Sequence, residues 1–481
     1  MPQRRPEPPP ADPSDLERLR RENEQLREDL RRSEAERQRL RRENEKLKEE
    51  LDAARRAVYR QAAPFSRGTR VATPRRPGRK AGAAYGVRSY RRRPAHIDET
   101  YEVALPPQCP DCDGAVRRIR IATQYQEELP VQQPIVRAFR VPIGRCCRCR
   151  RRVQGRHPLQ TSDALGAAAV QLGPQAVALA VLLNKRFGLP YGKIAALLRD
   201  RFGLTVTRGG LVHAIHRAAR HAQPTYATLC TTVRGSPAVT VDETSWRVDA
   251  VLQWLWAWVT RDTTVYAILP GRGIAQAASV IGLDYPGVLQ RDGWHSYRYF
   301  TAAAHQTCLA HLLRRCRALL LDYPGQPFVT AVKQILQAAL LTRDAYHAGV
   351  VSAHGLAVAR GHYIERLGQL LARRRSPRRP IRLFHQHLVT EFEAVFSFLF
   401  DPTLDATNWR AEHALRPAVI TRKTCGGGNR TARGAHSQQV LASVLRTADQ
   451  RGLDATDVLV TLLTAPAPTI PPALRTAAAV H

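Results

Sequence analysis

The chain is poor in several residue types, and each scarcity excludes a class of protein. Acidic residues number 41 against 74 basic ones, and the resulting net charge of +33 favours an anionic polymer or surface as the partner. No apolar run approaches the ~18 residues of a membrane span, which predicts no membrane contact. The first residues lack the apolar segment of a secretory signal, which predicts a cytoplasmic protein. Nine cysteines, mostly clustered, do not form a disulfide framework.

The 481 residues are 44% hydrophobic, enough for roughly two to four domains with buried cores. Residues 15–56 repeat every seven positions and predict a leucine-zipper-like coiled coil. Leucine at d and asparagine at a favour a parallel homodimer, and a single solvated helix rich in ion pairs is the alternative. The residues that carry the repeat are Leu19, Leu26, Leu40 and Leu47 at d, with Asn23 and Asn44 at a.

Residues 57–99 are predicted to be a basic, disordered linker. From 60 to 95 they include eleven Arg or Lys and no Asp or Glu, together with several prolines and glycines. Such a segment either contacts DNA phosphates or serves only as a solvated tether. The predicted DNA contacts here are Arg75, Arg76, Arg79 and Lys80.

Residues 100–158 are predicted to form a zinc-binding ribbon, because two Cys-x2-Cys pairs can give one tetrahedral structural Zn²⁺ site. The segments 122–126 and 135–141 are predicted strands. Cys147 is a spare thiol, and His157 could replace one ligand. The arginines around the second pair, Arg150 and Arg151 among them, predict DNA contact, with a solvated basic rim as the alternative. The four predicted zinc ligands are Cys109, Cys112, Cys146 and Cys149.

Residues 165–225 are predicted to be a helical DNA-binding region of helix-turn-helix type. One helix runs from Tyr191 to Phe202, a glycine-containing turn follows, and Thr207 caps a second helix that ends near Arg220. Arg208, at the start of the second helix, is a predicted DNA contact. Any helical hairpin has this outline, so a purely structural hairpin is the alternative.

Residues 236–304 are predicted to begin a catalytic core with an RNase H-like α/β fold. Strands are expected at 238–241, 251–259, 263–269 and 287–290, with a helix at 274–281 before the last strand. In this order the first and fourth strands are neighbours. Asp242 and Asp292, which follow them, would then meet and could hold divalent metal ions for phosphate chemistry. An ordinary N-cap or turn role is the alternative for each aspartate.

The third carboxylate is expected on a later helix, beyond a mostly helical insertion at 305–400. Residues 401–465 complete the core, and Thr407 or Asn408 is predicted to cap a helix that carries Glu412. Glu391 and Glu393 are competitors, but their amphipathic surroundings predict ordinary solvent-facing side chains.

Several other residues near these carboxylates have two interpretations. Cys308 and His311 are predicted to lie on one face of a helix. They form either a second metal site or a buried thiol beside a positioning histidine. Arg422, Lys423 and the glycine-rich loop 426–430 either hold DNA phosphates or form a mobile surface loop. The tryptophans are predicted to be mostly core, although Trp246 and Trp294 lie close enough in sequence to the aspartates to touch a flipped base.

Sequence blocks around these residues resemble the Insertion-Sequence-66 (IS-66) family of bacterial transposases. They are Val241-Asp242-Glu243-Thr244-Ser245-Trp246-Arg247-Val248, Asp292-Gly293-Trp294-x2-Tyr297, His305-Gln306-x-Cys308-Leu309-Ala310-His311-Leu312-Leu313-Arg314, Asn408-x3-Glu412-x2-Leu415-Arg416-Pro417, and Arg422-Lys423 before a glycine-rich turn. Together with the order of coil, zinc-binding segment, helical region and core, the resemblance covers nearly the whole chain. Two features depart from the family pattern: Trp409 follows Asn408, and His413 stands where an arginine is common.

The resemblance implies a multidomain α+β DDE transposase with Asp242, Asp292 and Glu412 as its triad. It implies two Mg²⁺ ions, for which Mn²⁺ could substitute, and DNA partners in the form of terminal inverted repeats and target DNA. It also implies accessory transposition proteins and a nucleoid-associated location in a bacterial cytoplasm. Two alternatives stay open: a non-catalytic DNA-binding regulator or domesticated transposase, and an RNase H-like nuclease without strand transfer.

Overall fold

A computed structural model of the chain describes residues 13–59, 93–127, 129, 133–161, 171–373, 376–424 and 427–475. The chain separates into two units, Met1–Tyr125 and Gln126–His481. In the first unit, helix α1 (Pro13–Tyr59) spans the whole predicted heptad segment. The heptad leucines Leu26, Leu30 and Leu40 are 67%, 61% and 56% exposed in the single chain. The structure therefore confirms the helix, and its pairing with a second copy stays a prediction.

The second unit begins with a small hairpin and a group of helices. Strands β1 (Ile143–Arg145) and β2 (Arg152–Gln154) pair antiparallel. The segments 122–126 and 135–141 are not strands, contrary to the prediction, and their apolar side chains are largely exposed, for example Ile135 at 75% and Val136 at 89%. The four helices that follow are α2 (Pro174–Lys185), α3 (Tyr191–Phe202), α4 (Arg208–His221) and α5 (Gln223–Arg234).

The helices at 191–221 have the local structure that the sequence predicts. Helix α3 ends at Gly203, whose φ of 66° lies in the left-handed region that glycine tolerates. Helix α4 begins after Thr207, whose side chain accepts a hydrogen bond from the amide of Gly210. Helices α2, α3 and α4 share a small apolar cluster that includes Ile194 and Leu211.

A five-stranded mixed sheet forms the centre of the second unit. Its strands are β3 (Ala238–Val248), β4 (Val251–Val259), β5 (Thr264–Leu269), β6 (Val288–Arg291) and β7 (Ala304–Thr307), in the order β5-β4-β3-β6-β7. The β3–β4 and β4–β5 pairs are antiparallel, and β3–β6 and β6–β7 are parallel. Helix α6 (Ile274–Ile281) connects β5 to β6. The predicted neighbourhood of the first and fourth strands is therefore observed.

Further helices complete the second unit. Helices α7 (Leu309–Asp322), α8 (Pro327–His347), α9 (Ala353–Ala372), α10 (Arg379–Glu391) and α11 (Ser397–Phe400) form the predicted insertion around their own apolar core. They are followed by α12 (Trp409–Thr424), α13 (Ala432–Gln450) and α14 (Ala455–Thr464). None of the helices described above combines the length and the apolar character that crossing a lipid bilayer requires.

Two predicted boundaries differ from the observed packing. Strand β7 belongs to the sheet, so the helical insertion begins after Thr307 and not at residue 305. Helices α2, α4 and α5 contribute residues such as Ile215 and Leu229 to the same core as the sheet residues Trp256 and Trp258 and the α13 residue Val444. Three of the predicted DNA-binding helices thus pack into the core of the sheet, in addition to the small cluster that α2 and α4 share with α3.

Candidate active site

The pairing of β3 with β6 brings two predicted carboxylates to one region of the sheet. Asp242 lies within β3 rather than at its end, two residues beyond Thr240, which is the last β3 residue paired with β6. Asp292 directly follows β6. Each carboxylate accepts a 2.9 Å hydrogen bond from a backbone amide: Asp242 from Glu243 and Asp292 from Trp294. β3 is longer than predicted because β4 pairs with it along its whole second half.

Three hydrogen bonds bring Glu412 to this region, although 119 residues separate it from Asp292. The amide of Leu309, the first residue of α7, donates to the carbonyl of Ala406 at 3.0 Å. The amide of Asn408 donates to the thiol of Cys308 at 3.1 Å, and the side-chain amide of Asn408 donates to the carbonyl of Val241 at 3.0 Å. The segment before α12 is thereby attached both to α7 and to the residue that precedes Asp242.

The Asn408 side chain does not act as the predicted N-cap, because its amide nitrogen binds β3. Its carbonyl oxygen is buried without a hydrogen-bond partner, and the backbone carbonyl of Asn408 accepts from the amide of Glu412 at 3.0 Å. The residue therefore connects the start of α12 to the strand that carries Asp242.

The pKa of Asp242 shows that the three carboxylates interact. Burial, followed by the negative charges of Glu243, Asp292 and Glu412, raises this pKa to about 8, and the hydrogen bond from the amide of Glu243 opposes the shift. In the described part of the chain, neither Asp242 nor Asp292 has a basic side chain bonded to its carboxylate. A cation placed here would favour the ionised form of Asp242.

Glu412, in contrast, forms an ion pair with Arg314. Its Oε1 accepts a hydrogen bond from Arg314 at 2.6 Å and lies 3.8 Å from Nε2 of His311. Within the described ranges, no group of three or more His, Cys, Asp or Glu side chains is arranged closely enough to hold a metal ion. The donor set, all carboxylate oxygen, suits Mg²⁺ in its chemistry, but in this arrangement Glu412 binds Arg314 instead.

A fourth carboxylate next to Asp242 was not singled out from the sequence. The Glu243 side chain is fully buried, and it accepts hydrogen bonds from Tyr297 at 2.5 Å and from Arg272 at 2.6 Å. The Arg272 guanidinium lies between the rings of Trp254 and Trp294, at 4.7 and 4.0 Å from their centroids. The signal for Glu243 in the sequence is its place directly after Asp242 at the end of an apolar strand. A charged side chain buried there needs a partner of opposite charge.

Glu391 is a second residue whose environment differs from the prediction. It is 1% exposed, not solvent-facing, and it forms ion pairs with Arg291 and with Arg298. Both partners lie more than 90 residues away in the sequence, so the local helical pattern gives no sign of them. Glu393 is exposed, as predicted.

Cys308 matches the buried-thiol alternative. It is 1% exposed, and its burial raises the pKa of the thiol. Burial and the charge of Arg314 lower the pKa of His311, so this histidine is neutral at pH 7. Its Nδ1 is buried without a hydrogen-bond partner.

The predicted DNA-binding residues have different environments. Arg150, Arg151, Arg208 and Lys423 are exposed. The guanidinium of Arg422 instead donates to the backbone and side-chain oxygens of Ser245 in β3, so it joins α12 to the sheet. The remaining predicted contacts lie outside the described residues; they are Arg75, Arg76, Arg79 and Lys80.

The glycine-rich loop is attached to β3 in its described part, which begins at Gly427. The amide of Asn429 donates to the carbonyl of Arg247, and the side-chain oxygen of Asn429 accepts from the indole of Trp246 at 2.8 Å. Gly428 has a φ of 155°, and a Cβ there would overlap the carbonyl oxygen of Arg247. Trp246 is 2% exposed, so it is a core residue and is not positioned to touch a base, whereas Trp294 is partly exposed.

Each cysteine pair lies in a turn of the same design. The amides of Cys109 and Cys146 donate to the carbonyls of Gly114 and Arg151, five residues later, at 2.8 Å in both turns. Backbone amides of the following residues also point at each first thiol, and these hydrogen bonds lower the pKa of Cys109 and of Cys146. Each turn thus favours a thiolate at its first cysteine; a four-cysteine zinc site stays a prediction.

The fold and the comparison with known sequences agree. A mixed sheet of this order, covered by helices, is consistent with the core of a DDE transposase. Residues 169–437 match the family described as "Transposase IS66 family". The chain therefore belongs to the IS66 transposase family. It is also 25% identical over 414 residues to "Uncharacterized protein y4qI" of Sinorhizobium fredii (strain NBRC 101917 / NGR234), covering 77% of this chain and 73% of that protein.

Proposed function

We propose that the protein binds the ends of an insertion sequence, cleaves DNA there and joins the freed ends to target DNA. The observation that carries this proposal is the convergence of three segments: β6 pairs with β3 beside Asp242, and Asn408, four residues before Glu412, donates to the carbonyl of Val241. The charges of Asp292 and Glu412 add to burial and to the charge of Glu243 in raising the pKa of Asp242. The three residues come from β3, the end of β6 and α12. Charges of one sign brought together from distant segments are costly to the fold, so their convergence favours a role in binding a cation.

The residues prepare the reaction as follows. Backbone amides fix one oxygen of Asp242 and one of Asp292, which leaves the second oxygen of each carboxylate for ligands. Asp242, Asp292 and Glu412 would hold two Mg²⁺ ions, or Mn²⁺ in their place. When bound, such ions supply a polarised water and stabilise the leaving 3′ oxygen. Glu412 would exchange its bond to Arg314 for this role.

The surface charge supplies the proposed DNA partner with contacts. A net charge of +33 favours phosphate binding. The exposed arginines at the second cysteine turn and at the start of α4 are available for such contacts. Arg208 lies in the first turn of α4, the part of a recognition helix that reaches bases in helix-turn-helix proteins. We propose Arg150, Arg151, Arg208 and Lys423 as DNA contacts, with a structural Zn²⁺ bound by the two cysteine pairs.

The test is a cleavage and joining assay on labelled DNA that carries the inverted repeats flanking the gene. We expect Mg²⁺-dependent cleavage and strand transfer by the wild type. Asp242→Ala and Asp292→Ala should lose both activities and still bind the ends. Cleavage without joining would indicate a nuclease, and binding without cleavage by the wild type would indicate a regulator. Metal analysis of the same protein should find one zinc per chain, and its absence would contradict the zinc proposal.

A further inference from the structure

The buried ion cluster formed by Glu391, Arg291 and Arg298, here called the Glu391 clamp, connects the helical insertion to the residues around Asp292. Glu391 is the last residue of α10, and its carboxylate pairs with both arginines. Arg291 directly precedes Asp292, and Arg298 lies in the short 3-10 helix His295–Tyr299 that follows it. A single carboxylate of the insertion therefore holds the chain on both sides of Asp292.

The inner arm of the clamp is deeply buried. The side chains of Arg291 and Glu391 are 4% and 1% exposed, and the guanidinium of Arg291 also donates to the carbonyl of Asp292 at 3.1 Å. Burial alone would raise the pKa of Glu391, but the charge of Arg291 and the hydrogen bonds from it lower this pKa, so Glu391 is ionised. A buried ion pair is expensive to assemble, which favours a specific task at this position.

The same helix also contacts the turn after Asp292. A Cβ at Gly293 would overlap the imidazole of His387, one turn before Glu391 on α10. Glycine at this position therefore allows the imidazole to lie directly against the turn. Beyond the turn, the amide of Trp294 donates to Asp292 Oδ1. The insertion thus contacts residues 291, 293 and 298. Asp292 and Trp294, which share the hydrogen bond that orients the Asp292 carboxylate, lie between these contacts.

We propose that Glu391 is a positioning residue through which the helical insertion fixes the orientation of Asp292. The positioning role rests on the proposed function in one respect, namely that Asp292 binds the metal ions. The insertion would then affect the rate of DNA cleavage through the position of Asp292, since a displacement of about 1 Å in a catalytic group can lower the rate roughly 10²-fold.

Glu391→Gln removes the charge while keeping the shape, and it tests this role directly. Its most direct measurement is hydrogen exchange at the amide of Trp294, which reports the bond to Asp292 without metal or DNA. We expect exchange at this amide to rise by about tenfold or more, since the local opening becomes easier. Mn²⁺ affinity should fall, and the rate of DNA cleavage should fall by about 10²-fold.

Two control variants separate positioning from general stability. Leu388→Ala removes a fully buried side chain from the same helix and leaves the Glu391 clamp in place. It should lower the melting temperature and leave both the Trp294 amide and the cleavage rate near wild type. Glu393→Gln, at an exposed position, should change none of these quantities.

If Glu391→Gln does not fold, Arg298→Gln removes only the outer arm of the clamp, where the arginine side chain is 39% exposed. It should give the same changes at smaller size. Wild-type exchange at the Trp294 amide in a folded clamp variant would overturn the proposal, as would equal changes in Leu388→Ala. A wild type that cleaves no DNA would refute the proposed function alone, because the exchange measurement still tests the clamp.

Discussion

Replacing Asp242 with asparagine removes an ionisable group that the fold holds at an unfavourable position. The folded-state pKa of Asp242 is about 8, against an ordinary value of 3.8. The folded protein therefore keeps this proton where the unfolded chain has lost it. The resulting destabilisation grows between about pH 4 and pH 8 and is constant above that range. An asparagine side chain cannot ionise, so the Asp242→Asn variant escapes this destabilisation.

The size of the effect follows from the pKa difference. About 4 pH units, at about 1.4 kcal/mol each, set a ceiling of about 6 kcal/mol. Movement of the side chain towards water reduces this, and we expect a gain of about 1–3 kcal/mol for Asp242→Asn at pH 8.5. At about 2 °C per kcal/mol for a domain of this size, the melting temperature should rise by about 2–6 °C.

Thermal denaturation in EDTA at pH 5 and pH 8.5 measures the difference, and Mg²⁺ is then added at the higher pH. At pH 5 the gain should be about a quarter of that at pH 8.5, because only about 1 pH unit separates this pH from the ordinary pKa. Mg²⁺ should stabilise the wild type more than the variant. Asp284→Asn, at an exposed carboxylate, is the control and should show no such gain. A variant no more stable than wild type at pH 8.5 would show that the fold does not destabilise the ionised form of Asp242.

Three other changes have defined outcomes. Arg314→Ala frees Glu412 from its ion pair. The Mg²⁺ concentration that gives half-maximal cleavage should therefore fall by about 1.5–5-fold, since an exposed ion pair contributes about 0.2–1 kcal/mol. A rise in this concentration would show that Arg314 positions Glu412 for the metal. Gly428→Ala should lower the free energy of unfolding by about 1–3 kcal/mol, measured by urea denaturation, because its Cβ overlaps Arg247 and its φ is positive; unchanged stability would contradict the docked loop. Lysine at both Leu26 and Leu30 should convert a dimer into a monomer in light scattering, and a wild type that is already monomeric would refute the coiled coil.

The local elements of the core were predictable because their signals are local. Helix α6 has the predicted bounds, as does strand β4, whose aromatic side chains alternate with smaller residues. The neighbouring positions of β3 and β6 followed from the strand order. The end of β3 did not, because Asp242 and the polar residues after it remain in the strand only through pairing with β4.

The site contacts that the sequence did not predict are all long-range. Glu391 was assigned to solvent because its helix neighbours gave no sign of Arg291, which lies 100 residues earlier. Asn429 contacts Trp246 across 183 residues, and no local pattern predicts that the loop attaches to β3. Such contacts depend on how the helices pack on the sheet, which periodicity does not specify.

The proposed role of Glu412 as the third metal ligand can be tested by the cleavage rate of purified Glu412→Ala, measured beside wild type and Glu393→Ala on DNA with the element ends. Glu412 is the member of the proposed triad that the strand order does not select, and three hydrogen bonds at residues 406 and 408 attach the segment before it to α7 and to Val241. We expect cleavage by wild type and Glu393→Ala, and none by Glu412→Ala despite intact binding of the ends. Normal cleavage by Glu412→Ala would show that Glu412 is not the third metal ligand.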